Sequence, residues 1–177
     1  MTDRRHLLKL AAAAATTLWL PRSTWAQWRA VSDPFTLGVA SGSPLHDSVV
    51  LWTRLMVPAG TPTVTVQWEV AHDEAFARIA QRGQAQALPE LGHAVHVEVQ
   101  GLRPGRWYFY RFMHGDAVTP TARTRTSPAE DEPTRLLRLA FASCQRWEQG
   151  HYAAYADLVK QPLDLMVFLG DYIYEYA

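Results

Sequence analysis

The chain has 177 residues, 48% of them hydrophobic, with 17 basic and 17 acidic side chains. That length and apolar content suffice to bury the core of about one domain, and they exclude a disordered tail. Balanced charge without a basic face argues against a nucleic-acid-binding protein.

The first 26 residues differ from the rest. They carry Arg4, Arg5, Lys9 and Arg22 against the single acid Asp3, leaving 13 basic and 16 acidic residues beyond them. The apolar stretch from Leu10 to Leu20 is shorter than the roughly 20 residues a membrane-spanning helix needs. Its basic start and small-residue end, Thr24-Trp25-Ala26, fit an export signal. Arg4-Arg5 ahead of His6-Leu7-Leu8-Lys9 resembles the twin-arginine pattern, which directs folded proteins across the bacterial cytoplasmic membrane. Residues 1–26 are therefore expected to be a twin-arginine signal cleaved after Ala26; an ordinary secretory signal or an uncleaved anchor is the alternative. The mature protein is expected in the periplasm or outside the cell, with the export machinery as a partner and no stable membrane span.

From Asp33 to Thr126 the pattern is one of short strands. In TVTVQWEVA, residues Val64, Val66, Trp68 and Val70 share one face while Thr65, Gln67 and Glu69 share the other. SVVLWTRL, HAVHVEVQGL and RWYFYRF continue the series between Pro, Gly and polar turns, which predicts an all-β sandwich over 33–126. Leu102, Pro104 and Tyr108 resemble the tyrosine corner of fibronectin type III and immunoglobulin-like domains, where the hydroxyl bonds back to the backbone. The tryptophans are expected to lie mostly in the sandwich core. His93 and His96 look like a zinc pair, but three residues apart on a strand they point to opposite faces, so a structural or surface role is expected.

The acidic, Pro-containing stretch 127–135 reads as a linker, and beyond it the period changes. LLRLAFASC is an apolar strand, GHYAAYADLVKQ has helical spacing through Tyr152, Tyr155, Ala156 and Val159, and LDLMVFLGD is a second apolar strand. Strand, helix, strand predicts a parallel crossover with both strands buried on two faces. Cys144 and Asp171 then fall just beyond the carboxyl ends of two neighbouring strands, where α/β sheets place their ligands. A lone cysteine in an exported chain is a small buried hydrophobe, a free thiol or a metal ligand. Tyr174 stands three residues past Asp171 and reaches the same point if the chain bends there. Thiolate, carboxylate and phenolate together suit a trivalent ion such as ferric iron better than calcium or magnesium alone. A carboxylate shared between two metals would complete a clamp that activates hydroxide and neutralises a phosphoryl group.

FTLGVASGSPLHDSVVLWTRL, LRLAFASCQ and LMVFLGDYIYEY resemble the alkaline phosphatase D (PhoD) family from Phe35 onward. GD-x-x-Y also occurs in purple acid phosphatases; its combination with ASCQ is more specific. The resemblance implies a fibronectin III-like sandwich followed by an α/β metallophosphoesterase domain, of which 136–177 would be the first β-α-β. It implies hydrolysis of phosphate monoesters or diesters by a monomeric enzyme. It also implies Cys144 and Tyr174 as ligands of Fe3+, and Asp171 as a catalytic carboxylate shared between Fe3+ and Ca2+. Ser43 departs from the family's usual Asp in SGDP. The family's further Asp, Asn and His ligands come from later strands, so the expectation is an N-terminal portion, inactive alone. The competing expectation is a non-catalytic exported sandwich that binds a partner, with a vestigial phosphoesterase segment.

Overall fold

A computed structural model describes residues 33–174. The expected signal and its cleavage site lie outside them. Among the described residues, no helix is long and apolar enough to cross a membrane.

Eight strands build two antiparallel sheets. Strand β1 (Val39–Gly42) pairs with β2 (Val49–Arg54), which pairs with β5 (Ala94–Val99). The second sheet runs β4 (Ile79–Ala87), β3 (Val64–Ala71), β6 (Trp107–His114), and β6 also pairs with β7 (Ala117–Val118) and β8 (Ala122–Arg125). Alternation decides the faces. Val49 and Leu51 on β2, Val95, Val97 and Val99 on β5, Val64, Val66 and Val70 on β3, and Tyr108, Tyr110 and Phe112 on β6 all point inward into one cluster.

The tyrosine corner forms. Tyr108 is buried, and its hydroxyl accepts a 2.8 Å hydrogen bond from the Arg103 backbone N–H. Tyr110, also buried, meets Ser41 of the opposite sheet through its hydroxyl. The core is otherwise different from expectation, because none of the described tryptophans is fully buried. Trp107 faces outward beneath the guanidinium groups of Arg123 and Arg125. Trp68 is half-buried and lies flat over Gly83, its register partner on β4. A Cβ at Gly83 would sit 2.6 Å from the indole, so glycine is what admits the ring. An indole is wide and carries an N–H needing a partner, which phenyl and aliphatic side chains between two sheets do not.

No strand or helix lies between Arg125 and Leu139. Beyond it β9 (Leu139–Ala142) and β10 (Leu165–Phe168) pair in parallel, with helix α1 (Ala153–Leu158) between them in the chain. The helix is shorter than its sequence pattern, since Tyr152 at its start is left-handed (φ 52°) and Val159 at its end is exposed. The expectation of two buried faces is also corrected. Leu139, Phe141 and Phe168 are exposed, because two strands and six helical residues offer little to cover them.

Candidate metal centre

Beyond the ends of β9 and β10 the two chains stay zipped by backbone hydrogen bonds. Leu169 N–H donates to Ala142 C=O at 3.0 Å, Cys144 N–H to Asp171 C=O at 2.8 Å, Tyr174 N–H to Gln145 C=O at 2.7 Å, and Trp147 N–H to Tyr174 C=O at 2.9 Å. This extension requires unusual backbone. Gly170 has φ 110°, Asp171 φ 43° and Cys144 φ 55°. For non-glycine residues such left-handed conformations are uncommon and cost energy, and they concentrate at functional positions.

The consequence is that three side chains meet. The Cys144 thiol faces Asp171 Oδ2 at 3.7 Å. The Tyr174 phenol bonds to both, and those contacts, Asp171 first and Cys144 second, raise its pKa by holding its proton. Cys144 and Asp171 are exposed and Tyr174 is half-buried, so the cluster opens to solvent. Beside it the Gln145 Oε1 is buried without a hydrogen-bond partner. Among the described residues no group of three or more His, Cys, Asp or Glu is placed to hold a metal. This cluster has two such residues and a phenol. The donor set fits a highly charged cation, since all three groups are anionic when deprotonated, two through oxygen and one through a softer sulfur.

Elsewhere the sequence candidates disperse. His93 sits in the turn before β5 with Nε2 3.2 Å from the carbonyls of Thr61 and Pro62, while His96 lies exposed on the strand, so they share no site. Trp147 is exposed and anchored at the rim, its carbonyl accepting from the Tyr152 hydroxyl at 2.7 Å. Sequence reasoning did not single out Asp164, which precedes β10 and binds both Arg125 and the start of β9. The only signal for it was an acid immediately before an apolar strand.

Two family descriptions match the chain: "PhoD-like phosphatase, N-terminal domain" over residues 21–128 and "PhoD-like phosphatase" over 139–177. Alkaline phosphatase D of Bacillus subtilis (strain 168) is 52% identical over 152 residues, covering 82% of this chain and 26% of that protein. A solved structure described as that of PhoD superposes with a TM-score of 0.80 at 51% identity, covering 84% of this chain and 30% of that one. The chain thus spans about a quarter of the length of the curated relative it matches.

Proposed function

This chain belongs to the PhoD-like phosphatase family, and from that premise we propose that it supplies the sandwich, at 33–126, and the opening of the catalytic unit, from 136 onward, of an exported metal-dependent phosphoesterase. The segment 127–135 joins the two. The observation that carries the reading is the convergence of Cys144, Asp171 and Tyr174 at two parallel strand ends. In this reading they would be the chain's ligands for Fe3+, and Asp171 would also help to hold Ca2+. Bound there, the metals would supply Lewis acidity toward a phosphate monoester or diester.

The chain's own contribution is placement. The backbone zip holds the three donors on one side of the sheet, and the left-handed turns at Cys144 and Asp171 aim them at one another. Asp171 is assigned the catalytic role in this set because a carboxylate has two oxygens that two ions can share. Three donors suit one ion and leave the second without a complete set among the described residues, so this chain alone is expected to be inactive. Export by the twin-arginine route and a monomeric state complete the proposal.

Titration of the purified chain with ferric iron tests it. One equivalent should bind, loosely because three donors leave the ion's shell incomplete, and give a visible phenolate-to-iron charge-transfer band; a colourless chain that takes up no iron would overturn the assignment.

A further inference from the structure

Asp164 divides its two carboxylate oxygens between two parts of the molecule. Oδ1 accepts from Nη1 of Arg125, the last residue of β8 in the sandwich. Oδ2 accepts from the backbone N–H of Arg138, just before β9, at 3.0 Å. The Asp164 N–H in turn donates to the Arg138 carbonyl at 2.8 Å, so one residue closes the starting end of the parallel pair. Its side chain is 14% exposed and that of Arg125 29%. Ion pairs this sheltered are screened less than surface ones.

The surroundings make this tie matter. A cavity of about 300 Å3 flanks the pair on one side, lined in part by Thr126, Leu136 and Leu137. A larger one, about 590 Å3, lies on the other between Trp107 and Tyr155, and Asp164 and Leu165 line both. No strand of the sandwich packs extensively along β9, β10 or α1. The apolar core of the sandwich includes no residue of β9, β10 or α1, and the ion pair bridges the two parts at this point.

We propose that Asp164 is a positioning residue: with Arg125 it latches the sandwich to the start of β9 and β10 and so sets how their far ends present Cys144, Asp171 and Tyr174. The inference deepens the metal-centre reading, but the latch itself is testable without metal. Asp164→Asn keeps the size and turns an N–H2 toward Arg125 or Arg138, donor against donor. Arg125→Met removes the charge. Arg125→Lys keeps it, and loses nothing at Nε, which is buried without a partner.

Residue-resolved amide exchange on the whole metal-free chain distinguishes the outcomes. Asp164→Asn and Arg125→Met should speed exchange about tenfold at Arg138, Leu169, Cys144 and Tyr174 while the sandwich amides stay within about twofold. Arg125→Lys should behave as the parent. Acceleration at Arg138 alone, with Cys144 and Tyr174 unchanged, overturns the proposal, as does acceleration throughout the sandwich or an Arg125→Lys chain as loose as Arg125→Met. If the amides respond as expected and the parent binds no iron, the latch stands and the metal reading falls.

Discussion

The Cys144 sulfur lies 3.7 Å from Asp171 Oδ2, across 27 residues of chain, because parallel pairing of β9 and β10 continues past both strands into their loops. The register matters as much as the pairing. Ala142 stands opposite Phe168, and each chain then takes a few residues to reach its acidic side chain, so a slip of one residue would separate thiol and carboxylate.

Tyr174→Phe should leave the fold intact and remove the phenolate-to-iron band of an iron-loaded chain, leaving the thiolate-to-iron absorption of Cys144. Removing the phenol deletes its own charge-transfer band without altering backbone, since the Tyr174 main-chain bonds to Gln145 and Trp147 do not involve the ring. Iron content and the visible spectrum, measured together, check it. An unchanged band in the variant would remove Tyr174 from the ligand set.

Much of this was legible locally. Period-two alternation exposed the faces of β2, β3, β5 and β6, and the spacing of Leu102, Pro104 and Tyr108 announced a corner whose hydrogen bond forms within five residues. Cys144 and Asp171 could be placed at strand ends because an apolar run stops just before each. What stayed hidden depends on distant partners. The outward Trp107 reflects which strand face meets the opposite sheet and the cations stacked on it. The left-handed turns at Cys144 and Asp171 arise from hydrogen bonds between two loops, and the role of Asp164 depends on an arginine 39 residues away. No short window carries that information.

Tyr108→Phe should destabilise the chain by about 1–3 kcal/mol. The ring would still fill its buried site, so the loss is that of the acceptor for the Arg103 N–H, left unsatisfied near the core. Urea unfolding at neutral pH gives the number. A variant as stable as the parent would mean that another acceptor takes over the corner.

Alkaline stability should depend on Tyr110. Burial, opposed only in part by its bond to Ser41, pushes its pKa from the ordinary value near 10 up to about 12. The folded state therefore favours the protonated phenol. That preference is fully present below about pH 10 and is lost as pH rises through about 12, amounting to about 3 kcal/mol. Tyr110→Phe should flatten this part of the stability curve between pH 10 and 12. Unfolding free energies across that window for parent and variant should diverge; parallel curves would place the alkaline sensitivity elsewhere.

Replacing Arg4 and Arg5 together by Lys should stop export of the protein, with precursor accumulating in the cytoplasm, because the twin-arginine route requires the guanidinium pair where general secretion accepts any basic start. Fractionation of cells carrying parent and double variant reads this directly. Continued export of the variant would assign the chain to the general route.

Asp171 combines two duties that substitution can separate. Its left-handed backbone (φ 43°) brings the chain back toward Cys144, and its carboxylate is the proposed shared ligand. Asparagine tolerates that conformation at least as well as aspartate, whereas for alanine it costs about 1 kcal/mol or more. Asp171→Asn should therefore keep the Cys144 N–H to Asp171 C=O bond and its slow amide exchange, yet lose ferric binding and, in the complete enzyme, turnover. Asp171→Ala should lose both the chemistry and the protected amide. If the asparagine variant bound iron as tightly as the parent, the carboxylate would serve the turn alone, and the metal would have to be held by Cys144 and Tyr174 with donors other than Asp171.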